Sequence, residues 1–216
     1  MSTDVDGVER LTAAWGRIEA WLWAHAPASA ALLRAPASEA EISVAEAAME
    51  VQLPATLAAW YQLHDGVDED QSSDGPHVAG ILPSRKTMLP LDRMVSEYRM
   101  HIGEWDREAG IVPFARTPGD VWSGWYVDAR KDAPSFGRLG SWAVDQPDEP
   151  YPWPSDGWPL PDWLTAMATA LEQGRPLRRP DGADEAGDRP ALYLGGLTWV
   201  DTRDLRIEAV VLDGPR

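Results

Sequence analysis

The chain has 216 residues and no cysteine, so a disulfide framework, a thiolate metal site and a cysteine nucleophile are all excluded. A chain of this length buries roughly 70% of its unfolded surface and needs no such staple. Its 35 acidic residues against 19 basic ones leave a net charge of −16, which repels phosphate backbones and anionic lipid and attracts a basic protein.

Residues 1–10 are polar and acidic, unlike a secretion signal, and no apolar run approaches the roughly 18 residues of a membrane helix. The expected compartment is the cytoplasm, with neither nucleic acid nor membrane as partner. Tryptophan is abundant, twelve against two phenylalanines, and most of it must be core. Trp is also enriched among interface hot spots, so a few are expected as exposed anchors.

Leu11, Trp15, Ile18 and Leu22 are spaced four, three and four apart and predict a helix that ends by Pro27. Residues 28–37 form an Ala-rich connection. Ser38 with Glu41 is a capping box opening a second helix, whose inward stripe is Ile42, Ala45 and Met49. Pro54 suits the first turn of a third helix, with Leu57, Trp60 and Tyr61 inward. Asp65-Gly66 reads as its terminus, Gly66 supplying the left-handed conformation. Residues 67–77 are an acidic, Ser/Gly-rich loop, and 78–82 a short strand. Leu91, Val95, Tyr98 and Ile102 repeat at helical spacing with Asp92 as cap.

The middle of the chain turns to β. Strands are predicted at 111–115, 121–128 and 139–144. The second would carry Trp125 and Val127 on one face and Trp122 and Tyr126 on the other. Residues 145–159 are an irregular loop rich in Pro, Asp and Trp. A further helix starts at Pro161, buries Leu160, Leu164, Met167 and Leu171, and ends at Gly174. After a linker at 175–190, Leu192 and Leu194, a hairpin signal at Gly195-Gly196, then Leu197 and Trp199, and finally Ile207, Ala209 and Val211 read as β. So few strands are marginal alone and are expected to dock on the main sheet. The expected fold is α+β: a central twisted, mainly antiparallel sheet flanked by helices, an N-terminal three-helix module and a C-terminal β extension. The expected division is a domain at 11–174, the linker, and an extension at 191–216.

Chemistry is sparse. His25, His64, His77 and His101 have no helical metal-ligand spacing, and no HExxH occurs. His64 beside Asp65 is explained by the favourable placement of a cation at a helix C-terminus. Asp70, Ser72, Asp74 and Gly75 resemble half of a calcium loop, but the twelfth position counted from Asp70 is Ile81, not the required Glu. Pro118-Gly119-Asp120 reads as a turn between strands, and there is no phosphate loop and no GxSxG elbow. Nothing sets a nucleophile, base and orienter together, so the expectation is no enzyme, no cofactor and no metal.

Several segments resemble the SUKH superfamily, which includes Smi/Knr-type cell-wall-assembly regulators and many bacterial immunity proteins. They are Trp15-Gly-Arg-Ile-Glu-Ala-Trp21-Leu22, Pro36-Ala-Ser38-Glu-Ala-Glu41-Ile42, Leu53-Pro54-Ala-Thr-Leu57 and Trp60-Tyr61-Gln-Leu-His64-Asp65-Gly66. Gly80-Ile81-Leu82-Pro83, Ile111-Val112-Pro113-Phe114-Ala115 and Asp162-Trp163-Leu164 fit more loosely. The resemblance spans about 11–174 and leaves out 145–159. It implies an α+β binding module without catalytic residues, and many bacterial relatives neutralise toxin domains, often nucleases.

A nuclease presents a basic face, which an acidic, Trp-bearing surface complements. The expected function is a non-catalytic protein-binding module, of immunity type, that neutralises a basic, nuclease-like toxin domain. The alternative is an intracellular regulatory or scaffold protein with a non-toxin partner. Candidate contact residues are Asp65, Asp68, Glu69, Asp70, Asp74, Asp120, Trp122 and Trp125, with at least one of the two tryptophans expected in the sheet core.

Overall fold

Leu11, Trp15, Ile18 and Leu22 form the buried stripe of α1 (Ser2–His25). The computed structural model describes residues 2–69, 78–120, 122–144, 157–178, 188–201 and 210–212. The Ala-rich connection holds one further turn, α2 (Pro27–Ala30), opened by its proline. The predicted capping box is present at α3 (Glu39–Met49). The Glu41 amide donates to Ser38 Oγ at 3.3 Å, and the Ser38 amide donates to Glu41 Oε2 at 2.8 Å. Between them they satisfy two backbone donors that the first turn leaves open. Pro54 caps α4 (Ala55–Tyr61), which buries Leu57, Trp60 and Tyr61 as expected.

The end of α4 corrects one expectation. The helix stops at Tyr61, ahead of Asp65-Gly66. Residues 62–66 then fold back along 33–35, where the Asp65 amide donates to the Ala35 carbonyl at 2.9 Å and the Arg34 amide to the Gly66 carbonyl at 3.1 Å. Gly66 is left-handed, at φ +75°, but not as a helix cap. Its backbone runs against Leu89 and Pro90, and a Cβ there would lie 2.5 Å from the Pro90 nitrogen.

Residues 78–82 form no strand. Ser84 and Arg85 have φ of 57° and 58° and turn the chain back through a 3₁₀ turn, leaving one isolated bridge between Leu82 and Lys86. The strand that follows is β1 (Thr87–Met88). At α5 (Leu91–Gly103), Asp92 lies in the first turn and does not cap it. The carboxylate that receives the Leu91 amide, at 2.9 Å, is Asp65, which periodicity cannot reveal.

The main sheet has the order β1-β2-β3-β4, all antiparallel, with β2 (Ile111–Arg116), β3 (Ser123–Asp128) and β4 (Leu139–Ala143). Pro113 cannot donate to the ladder, and the register shifts between it and Ala115. Phe114, Trp125 and Val127 join the main core with Trp15, Trp60 and Trp163; the Trp15 and Trp60 rings meet edge to face at 5.1 Å. Ile111, Tyr126 and Trp142 form a second, smaller cluster with Trp105 and Val144. The last helix, α6 (Leu160–Gln173), packs along α1 and ends at left-handed Gly174, as read from the sequence.

The C-terminal strands build their own sheet, of order β6-β5-β7, from β5 (Asp188–Tyr193), β6 (Gly196–Asp201) and β7 (Val210–Val211). They do not extend the main sheet. β6 packs instead on α2 and the 3₁₀ turn, where Trp199 Nε1 donates to the Ile81 carbonyl at 2.8 Å and the Leu197 amide donates to Ser29 Oγ at 2.9 Å. The hairpin turns through Leu194-Gly195, both at positive φ (50° and 77°), one residue ahead of the Gly-Gly signal. Gly196 is spent on packing: a Cβ there would lie 2.5 Å from Val78. Ile207 and Ala209 lie outside the described residues.

Candidate partner-binding surface

The acidic run after α4 is organised by two cations, Arg34 and Arg116, that composition and periodicity do not single out. Arg34, in the connection after α2, donates to Asp68 Oδ1 at 2.9 Å and to Asp65 Oδ2 at 3.3 Å. The other oxygen of Asp65 receives the Leu91 amide, so Asp65 ties three segments together and is itself half-buried. Glu69 pairs with Arg116 at 2.7 Å, and Arg116 also reaches Glu97 at 3.1 Å. Burial pushes the Glu97 carboxyl up, Arg116 opposes this, and Glu69 adds to it. Asp68, with 61% of its side chain exposed, faces solvent most openly of the three run residues described. Asp70 and Asp74 lie outside the described residues, as do Ser72, Gly75 and His77.

Asp120 and Trp122 form the second half of the candidate surface. Asp120 Oδ1 accepts the Trp122 amide at 2.8 Å, an Asx turn. The Trp122 carbonyl accepts the Val144 amide at 2.9 Å. The backbone is thus held on both sides while the indole is 62% exposed. Trp122 stands just ahead of β3, at the position the β3–β4 register sets opposite Val144, and is exposed, whereas Trp125 and Val127 share the face toward the main core, as the expected alternation has it. Trp125 goes inward, its ring 5.8 Å from that of Trp163. Lys86 Nζ braces the base of this hairpin, donating to Thr117 Oγ1 and Ser123 Oγ at 2.6 Å each. Arg116 sits at the end of β2, so its ion pair with Glu69 joins the acidic run to the strand leading into the hairpin.

His64 lies past the end of α4. Its Nδ1 is 2.7 Å from the Arg34 carbonyl, a contact that requires Nδ1 to carry the hydrogen, and its Nε2 is 3.4 Å from Glu19. The imidazole anchors the segment that carries Arg34, a reason more specific than the helix dipole. Asp128 is fully buried. Burial would raise its carboxyl, but hydrogen bonds from Arg130 and Ser135 outweigh that and hold it low. Its lone pairs are occupied by protein donors, which suits a structural role. Among the described residues, no three His, Asp or Glu side chains cluster as metal ligands.

Residues 36–164, more than half of the chain, match the model of the SMI1 / KNR4 family (SUKH-1). The chain is similar to the cell wall assembly regulator SMI1 of Saccharomyces cerevisiae, 34% identical over 91 residues, covering 42% of this chain and 17% of that protein. It is 31% identical to a KNR4/SMI1 homolog of Eremothecium gossypii over 83 residues, 38% of this chain and 12% of the relative. The KNR4/SMI1 homolog 1 of Debaryomyces hansenii is 28% identical over 90 residues, 42% and 19% respectively. The chain therefore matches less than a fifth of the length of each of these relatives.

Proposed function

The chain belongs to the SMI1/KNR4 family (SUKH-1), and on that premise we propose that it is a non-catalytic protein-binding module that works in the cytoplasm on a basic partner. The observation that carries this reading is Trp122: a large apolar side chain, 62% exposed, on a backbone already fixed by Asp120 and Val144. An anchor held in place before binding loses little conformational freedom on docking. Buried tryptophans of this kind rank among the strongest interface contacts, at about 2 kcal/mol or more each. The net charge of −16 would speed the approach of a cationic partner. Asp120, whose carboxylate holds the Trp122 amide, is the described acid beside the anchor, Asp68 is the most exposed described acid of the run, and Asp70 and Asp74 keep their place as contacts on sequence grounds.

The partner proposed is a basic, nuclease-like toxin domain that this module would neutralise by covering its polyanion-binding face. A regulatory or scaffold role with a non-toxin partner is the second reading, favoured by the name of the yeast relative as a cell wall assembly regulator. Affinity capture from the producing cell, with cross-links mapped by mass spectrometry, separates the two. A basic toxin fragment cross-linked near Trp122 supports the first. A basic partner without toxin domains supports the second. Capture of acidic partners alone would contradict both.

A further inference from the structure

Away from the Trp122 hairpin, α3 and α5 pack side by side and leave a groove of about 630 Å³ between them. This is within the roughly 300–1,000 Å³ typical of binding clefts. Its lining follows from the sequence of α3. Ala40, Ala45 and Ala48 are too small to fill the trough, and Leu91 and Val95 of α5 add further apolar surface. At its lip stands Val44, 69% exposed on a helix that also offers Glu39, Glu41 and Ser43 to solvent. The groove shares Arg34, Glu41 and Asp65 with a smaller hollow of about 450 Å³ that reaches Asp68, so it runs into the acidic surface already described.

The rim decides what would lie there. The lining carries two cations, Arg34 and Arg99, against three acids, Glu41, Asp65 and Asp92; Arg34 is spanned by Asp65 and Asp68, while Arg99 donates to the Ala48 carbonyl at 3.2 Å and keeps its charge. Asp92, by contrast, meets no cation among the described residues within ion-pair distance. The charge left to be matched is negative, above an apolar trough. The groove is flanked by helices of 11 and 13 residues, a length of roughly 16–20 Å at 1.5 Å per residue. We propose that it is the docking site for a basic amphipathic helix of the partner protein. Aliphatic side chains of that helix would enter the trough beside Val44 and Val95, and its lysines or arginines would face Asp92 and Glu41. The inference rests on the protein-binding reading above but names a face separate from Trp122.

The test uses the full chain, isotopically labelled, titrated with a synthetic Leu/Lys amphipathic helical peptide of about four turns and with its Leu/Glu counterpart. The Leu/Lys peptide is expected to shift the amide resonances of Val44, Ala45, Asp92 and Val95. Val44→Arg should weaken it at least about tenfold, and Trp122→Ala should leave it unchanged. Val44 is mostly exposed, so its variant should keep the wild-type melting temperature. Shifts centred on Trp122, equal binding of the Leu/Glu peptide, no binding of either peptide, or an unaffected Val44→Arg would each overturn the groove. Capture of a basic partner through Trp122 would still stand in every one of those cases.

Discussion

His101 sits near the end of α5 with 1% of its surface exposed and neither ring nitrogen hydrogen-bonded. The ring of Trp105 lies 4.5 Å away and that of Trp142 4.6 Å away, the latter edge to face at 86°. Burial, reinforced by the positive charge of Arg107, pushes the imidazole from its ordinary 6.5 down to about 3. The sign of the consequence follows. Above pH 6.5 folded and unfolded chains are both neutral at this site, so it adds no pH dependence. Below 6.5 the unfolded chain takes up a proton that the folded chain refuses until about pH 3, so stability falls with pH across that window. Each unit of difference is worth about 1.4 kcal/mol, so the loss reaches ~2 kcal/mol at pH ~5. That is a large part of a domain's typical 5–15 kcal/mol, by order of magnitude. His101→Phe removes the titration and keeps an aromatic ring between the two indoles. Urea unfolding followed by tryptophan fluorescence, from about pH 7.5 to 5, should show wild type losing ground to the variant below pH 6.5 by ~1.4 kcal/mol per unit. Every acidic residue is common to both proteins, so carboxylate titration cancels to first order. Parallel curves would refute the reasoning, because they would mean that His101 accepts its proton as readily in the folded chain.

Other substitutions test the scaffold. Ser38→Ala removes the α3 capping box and should cost about 1 kcal/mol, read as a lower urea midpoint at unchanged slope. Gly66→Ala places a Cβ 2.5 Å from the Pro90 nitrogen at φ +75°. Backbone cannot yield as a side chain does, so the variant should lose more than ~2 kcal/mol or fail to accumulate in soluble form. Asp65→Ala deprives α5 of its terminal acceptor and should cost ~1–2 kcal/mol, whereas Asp68→Ala breaks only an exposed pair and should cost less than ~0.5 kcal/mol by thermal melting.

Local signals carried much of the fold. The stripe of α1, the Ser38/Glu41 box, Pro54, and the Pro161 start and Gly174 end of α6 each report on their own few residues, and each element formed where its signal stood. The misplacements have non-local causes. Asp65 reads as a helix end because the residue it serves, Leu91, lies far along the chain. Gly66 and Gly196 read as turn formers, but their missing side chains make room for Pro90 and Val78. The apolar run at 78–82 turns back at Ser84 and Arg85, which carry no sequence mark of positive φ.

The candidate surface was partly legible for the same reason. Composition revealed the acids, but only the fold shows Arg34 and Arg116 holding Asp65, Asp68 and Glu69. Alternation in a strand implied two roles for Trp122 and Trp125. The fold agrees: Trp125 and Val127 reach the main core and Tyr126 the second cluster, while Trp122, just ahead of β3 at the position its register sets opposite Val144, is exposed beside the Asx turn at Asp120.

Binding through Trp122 is the claim on which the function rests. Once the captured basic partner is identified, calorimetric titration of that partner with wild type and with Trp122→Ala is the most direct measurement. The account predicts a loss of affinity of about thirtyfold, equivalent to ~2 kcal/mol, with stability of the variant within ~0.5 kcal/mol of wild type. Equal affinities for the two proteins would contradict it.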